Sequence, residues 1–386
     1  MRKLFRTILN SGFSAFEPIG LQGRIRYSVL LFIQCGLVLF VVSGCSVGRQ
    51  LPTPEDEIRL VDPSLSSDGK QLLFSLSYQG RVHRLGRLDL EADELEMFFD
   101  LPINRSWRSP LYLPDGKTIL ATSSCPDGDC AGEAEGRHLT LIDMATRRFK
   151  LITSGRASND SPSISYYNRR VIFSSKSADK NLNTSGYAFI ESINLNTGRI
   201  RSVFPSPTLK TQFLYASQVF EIGRNEFVFS AIAPNKNEYL KTYTKKLDKE
   251  YEDAAYRLNP DQGITPFEEN QNFVMAQLRS SRYGKRMVFI DRSRTKPSDD
   301  QGYYNYDLYL IESGRVKQIT DLQTLMHDPY VSRDGSRVTF LADETKKLAW
   351  DVWVMDLPDG TPRKTGLRER IRREIEKENA PDGGVS

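Results

Sequence analysis

At 386 residues the chain is long enough for one large domain or two ordinary ones, and 39% hydrophobic with 26% charged residues marks its bulk as globular. The formal net charge of +4 comes from the first 28 residues, which hold Arg2, Lys3, Arg6, Arg24 and Arg26 against Glu17 alone, so the rest is charge-balanced. That balance excludes the broad basic footprint nucleic acid demands, while 17 Tyr and 20 Phe lean the body toward strands.

Arg24 and Arg26 stand just before an uncharged run from Ser28 to Gly44, rich in Val, Leu, Phe and Ile. Basic region, apolar stretch and small residues follow in the order of a secretory signal. The run ends Val42-Ser43-Gly44-Cys45, which resembles the bacterial lipobox. The resemblance implies cleavage before Cys45 and acyl chains on its sulfur. Ser46 in the next position then implies sorting to the outer membrane, facing the periplasm. An uncleaved anchor is the alternative, since about 17 apolar residues lie at the lower limit for crossing a bilayer. Residues 1–44 are expected to be the signal, and residues 45–57, with Pro52 and Pro54, a lipidated tether.

From residue 58 one octet recurs six times, a turn followed by a hydrophobic strand: SDGKQLLF (67–74), PDGKTILA (114–121), YYNRRVIF (166–173), IGRNEFVF (222–229), RYGKRMVF (282–289) and RDGSRVTF (333–340). Asp-Gly supplies a tight reversal, because Gly accepts φ > 0 and Asp hydrogen-bonds its own backbone. The near-continuous apolar run after the turn predicts a strand buried on both faces. A second strand follows and often closes on an acid or amide, as in LGRLDL (85–90), HLTLIDM (138–144), FIESINL (189–195) and DVWVMDL (351–357). A third, more polar strand comes next, as in RRFKLIT (147–153) and RVKQIT (315–320). A segment leading into the next octet often passes through proline: Asp62-Pro63, Ser109-Pro110, Ser161-Pro162 and Asp328-Pro329.

Four short strands per unit, repeated six times over residues 58–365, predict an all-β, six-bladed β-propeller. One blade cannot bury its own two faces, and a closed ring hides them against neighbours. For the join between last and first blades, the strand-like EIRLVD (57–62) is the favoured outer strand of the sixth blade, with PRKTG (362–366) competing. No helix of 10–15 residues separates the strands, which argues against a parallel α/β sheet. Only the segment 366–386 is helical in pattern: LRERIRREIEKEN (367–379) places Leu367, Ile371 and Ile375 on one stripe. That stripe predicts a helix lying on the domain, or one that docks a partner.

The proline–serine–Asp-Gly lead-in, clearest at 62–74, 109–120 and 328–340, resembles the TolB-type six-bladed propeller over residues 58–365. The resemblance implies the fold and a binding role in the cell envelope, toward an envelope protein or a cell-wall component. TolB proteins carry an additional α/β domain and are soluble, whereas neither is expected here, so the Tol–Pal partner is not carried over.

Signals of chemistry are sparse. The three histidines, His83, His138 and His327, show neither HxH nor HExxH spacing, so no metal is expected. No GxSxG elbow and no phosphate-cradling loop is present, so neither a catalytic residue nor a cofactor is expected. The alternative is a propeller lyase or hydrolase acting on polysaccharide, with His327 as its base. Cys125 and Cys130 in CPDGDC are expected to close a small disulfide loop in an oxidising compartment; calcium on Asp127 and Asp129, or two free thiols, are the alternatives. The first strand of each blade lines the channel, which makes Arg108, Asp160, Asn272 and His327 the candidate rim residues for recognising a peptide or sugar. The bland alternative is a solvated channel mouth. Tyr166-Tyr167 and Tyr303–Tyr306 are interface anchors or, more simply, blade packing.

Overall fold

The hydrophobic end of every octet folds as the second strand of a four-stranded antiparallel sheet, and six such sheets follow one another along the chain. The computed structural model describes residues 58–379 except 79–81, 126–135, 156–157, 166–168, 177–188, 205–214, 233–253, 260–262, 268–272, 274, 296–304 and 346–348. The first blade is β1 (Ile58–Leu65), β2 (Gln71–Tyr78), β3 (His83–Asp89) and β4 (Leu95–Met97). The second is β5 (Ser106–Tyr112), β6 (Thr118–Ser124), β7 (His138–Asp143) and β8 (Phe149–Leu151), and the third is β9 (Ser158–Ile164), β10 (Arg170–Lys176), β11 (Phe189–Asn194) and β12 (Ile200–Phe204). The fourth holds β13 (Tyr215–Gly223), β14 (Glu226–Ile232), β15 (Ala254–Asn259) and β16 (Gly263–Pro266). The fifth holds β17 (Ala276–Ser280), β18 (Arg286–Arg292), β19 (Tyr306–Glu312) and β20 (Arg315–Gln318), and the sixth β21 (Leu325–Val331), β22 (Arg337–Asp343), β23 (Asp351–Asp356) and β24 (Arg363–Lys364). The innermost strands pack in sequence from β1 to β5, β9, β13, β17 and β21, and β21 returns to β1, so the six blades form a closed ring.

Side-chain chemistry explains the local order. In the first turn the Asp68 carboxylate accepts from Ser66 Oγ at 2.6 Å and from the Lys70 N–H at 3.1 Å. Gly69 supplies a φ of +71°. The acids and amides that close the third strands cap the following hairpin. Asp89 accepts the N–H groups of Glu91 and Ala92, Asp143 those of Ala145 and Thr146, and Asn194 those of Asn196 and Thr197.

Burial follows the predicted gradient from second strand to rim. Strands β2, β6, β10 and β22 are buried at nearly every position, whereas β4 and β20 have no buried residue. The octet's final aromatic, Phe74, Phe173, Phe229, Phe289 or Phe340, is fully buried in five blades, and Ala121 replaces it in the second. One apolar cluster fills each seam, so the core is six wedges between blades. Each buried Phe contributes about 1.5–3 kcal/mol of transfer free energy.

The join corrects the expectation for residues 57–62. Strand β1 is the innermost strand of the first blade, paired along its length with β2. The sixth blade is completed by its own β24, where Lys364 pairs with Trp353 and Arg363 with Val354. A strand that runs directly into a tight turn pairs with the strand after that turn, because this closes the shortest loop. The ring is instead fastened by α1 (Leu367–Asn379), the C-terminal helix. Leu367 and Ile371, both fully buried, sit in one cluster with Ile58, Leu60, Leu72 and Phe74 of the first blade and Leu341 and Val352 of the sixth. Arg370 Nη2 reaches the Asp93 carboxylate at 2.7 Å, tying the helix to the first blade. The apolar stripe that pattern alone left open between domain and partner is therefore taken by the domain.

Candidate functional site: the axial channel

Each innermost strand carries a bulge at its middle, where the ladder to the second strand slips. The bulge residue has positive φ in all six blades: Asp62, Ser109, Ser161, Gln218, Gln277 and Asp328, between 49° and 55°. Four are followed by proline, which has no N–H to lose from the ladder. At Asp62, Ser109 and Asp328 the bulge turns the backbone N–H away from the sheet and toward the neighbouring blade.

These N–H groups run a relay around the channel. Gln277 Oε1 accepts from Asp328 N–H at 2.5 Å, Asp328 Oδ2 from Asp62 N–H at 3.5 Å, and Asp62 Oδ2 from Ser109 N–H at 2.9 Å. Ser109 Oγ then approaches Asp160 Oδ1 at 3.5 Å, and Asp160 Oδ1 accepts the Ser161 N–H at 2.8 Å. Among the described residues the relay stops at the fourth blade, where Gln218 Oε1 is buried and finds no hydrogen-bond partner among them.

Charges are interleaved with the relay. Arg108 grips Asp62 with two bonds, Nε to Oδ2 at 2.5 Å and Nη2 to Oδ1 at 3.2 Å. Burial works against the Arg108 charge, but Asp62, Asp160 and Asp328 together outweigh it and raise its pKa. Arg137 pairs with Asp160. Burial also works to raise Asp328, yet the hydrogen bond and charge of His327, with Arg279, hold that carboxyl below its ordinary value. His327 Nδ1 lies 3.1 Å from Asp328 Oδ2, and its ring meets Trp350 edge-on at 4.1 Å. Burial first, then the charge of Arg108, push His83 down to about 4, so it is a neutral ring beside Ser106 Oγ at 3.2 Å.

The axial cavity measures about 250 Å³ and is lined by Asp62, Arg108, Ser109, Asp160, Ser161 and Asp328 together with Arg279, Arg333, Gln218 and Phe220. Of the rim residues expected from sequence, Arg108 and Asp160 line it, and His327 stands one residue before the bulge in β21, against Asp328. Asn272 lies outside the described residues; β17 starts at Ala276, which holds the position equivalent to Arg108. Gln218 and Gln277 escaped sequence reasoning because Val219 and Leu278 follow them where other blades have proline. A usable signal existed: in five blades the bulge residue stands twelve positions before the octet's last residue, and in the fourth blade eleven.

Cys125 is held in a disulfide whose other cysteine lies outside the described residues, as do Cys130, Cys45 and Tyr166-Tyr167. Among the described residues no three His, Cys, Asp or Glu side chains are grouped to hold a metal ion. No helix among them is long and apolar enough to cross a membrane.

Sheet order and axial channel define a six-bladed β-propeller. Solved structures of similar fold include TolB from Acinetobacter baumannii, 16% identical with a TM-score of 0.48 over 82% of this chain and 67% of that one. The β-propeller domain of the trilobed protease from Pyrococcus furiosus is 14% identical with a TM-score of 0.47 over 80% and 82%. At these identities the likeness is one of fold. Among curated proteins, the uncharacterized peptidase YuxL of Bacillus subtilis (strain 168) is 26% identical over 155 residues, which span 33% of this chain and 23% of that protein. No protein-family profile matches the chain.

Proposed function

We propose that the chain is an envelope lipoprotein, anchored to the outer membrane through acyl chains on Cys45, whose propeller is a non-catalytic binding module for an envelope protein or cell-wall component. One observation carries the binding role: the acids of the channel are already committed. Asp62 is held by Arg108 and Ser109, Asp160 by Arg137 and Ser161, and Asp328 by His327 and Asp62. Groups held this way offer fixed charges and dipoles to a guest, while proton transfer would first break their pairs. A cavity of about 250 Å³ suits one or two polar residues of a larger partner.

The test is a photo-crosslinking residue at Ser67, which is exposed and lines the cavity, used in intact envelope. One discrete crosslinked partner is expected, and Arg108→Ala should abolish it. Crosslinks unaffected by Arg108→Ala would remove the channel from the proposal. A Cys45→Ser form that keeps its membrane association and mobility would remove the lipid.

A further inference from the structure

A second concave site lies away from the channel, between the fourth and fifth blades. Its volume is about 540 Å³, within the usual range for ligand sites. Met287 and Ile311 form an apolar floor, and the rim carries Tyr283, Lys285, Glu226 and Glu312. Tyr283 is the unusual member. Its φ of 62° and ψ of 22° place a bulky residue in the left-handed region, directly before Gly284, which is also left-handed. A side chain with a Cβ is strained there, and such strain concentrates at binding sites. This backbone holds the ring outward, 37% exposed, with the Arg282 guanidinium stacked at 4.5 Å.

The charges around the ring are unequal in their commitments. Glu226 pairs with Arg257, and Glu312 with Arg286 at 2.6 Å. Lys285 is exposed and has no ion pair among the described residues. A fixed aromatic platform, carboxylates able to accept from hydroxyls, and an exposed lysine ammonium are complementary to a hydroxylated ring bearing a carboxylate. We propose that this cleft binds an acidic sugar unit of a polysaccharide: the ring's C–H face against Tyr283, its carboxylate on Lys285, and its hydroxyls toward Glu226 and Glu312.

The experiment is titration of the intact protein with a glucuronate-containing tetrasaccharide and with its neutral glucose counterpart, by calorimetry and by chemical-shift mapping. Saturable binding of the acidic tetrasaccharide is expected, at least tenfold tighter than the neutral one. Tyr283→Gly, which suits the positive φ and so keeps the fold, should weaken it at least tenfold, with the melting temperature falling by no more than about 2 °C. Lys285→Gln should erase the preference for the charged sugar. Arg108→Gln, in the channel, should leave this binding unchanged; if it abolishes binding instead, the sugar sits in the channel and the cleft proposal fails. Failure to saturate, indifference to Tyr283→Gly, or tighter binding of an acidic peptide would also overturn it.

Discussion

The seam between the third and fourth blades and the seam between the sixth and first solve one problem by different means. The former is an aromatic wedge, where Phe204 stacks on Phe229 at 6.5 Å and Phe229 lies 5.9 Å from Tyr256. The Ser163 hydroxyl bonds the Val219 carbonyl behind it. The latter must join residues at opposite ends of the domain, and it adds polar fasteners to its apolar cluster. Arg337 Nη1 donates to the Gly69 carbonyl at 2.8 Å, Asp334 N–H to the Ser67 carbonyl at 3.1 Å, and α1 covers the outside. Seams between chain neighbours are also held by a linker, and the fifth–sixth seam repeats the fastener, with Arg286 Nη1 donating to the Gly335 carbonyl at 2.8 Å. The closing seam has no linker, and loop-closure entropy opposes it.

Breaking each seam in turn sharpens this contrast. The largest effects are expected from two core changes, the first being Ile371→Asp, which buries a carboxylate in the closing cluster and should cost about 4 kcal/mol. Hydrogen exchange should then accelerate first in β1, β22 and β23 while β10 and β14 stay protected; uniform acceleration would refute a local clasp. Phe229→Ala at the other seam should cost about 3–5 kcal/mol, and its exchange pattern should be the reverse. A smaller effect separates two Asp-Gly turns. At Gly69 an added Cβ would meet Arg337 Cβ at 2.9 Å, whereas at Gly116 it meets nothing within 4 Å. Gly69→Ala should therefore lower the melting temperature clearly more than Gly116→Ala, which bears only its positive φ, about 1 kcal/mol. Equal losses would show that the turn of the first blade carries no closing load.

The mildest test is a pH series. His83 has its folded pKa pushed below its unfolded value, to about 4 from 6.5, so the unfolded chain binds the extra proton between those limits. Stability must then fall as pH drops from 6.5 toward 4. His83→Gln should flatten that part of the curve, and an unchanged slope would place the titration elsewhere. Asp328 acts at lower pH: its folded pKa is depressed, so its contribution is present above the unfolded value and is lost on further acidification.

The sequence made the blades legible because their burial pattern is local. Five octets end in Phe, and a run such as Leu72-Leu73-Phe74 admits burial on both faces only. It left the join illegible, since Ile58 and Leu60 bury equally well in an inner or an outer strand, and only the adjacent turn decides between them. The channel was half legible. Proline marked the bulge in four blades, pointing to Arg108 and Asp160, while Gln218 and Gln277 carry no such mark. The cleft at Tyr283 was invisible, because its defining property is a dihedral angle that no residue pattern records.

The position of β1 in the closing seam has a mechanical meaning. Ile58 opens β1 and is packed in the same cluster as Ile371 of α1. Tension on the residues ahead of Ile58 would therefore load the one joint of the ring that no linker spans. The helix works there as a rivet: pull hard enough on that end, and the circle unzips at its buckle before any single blade unravels.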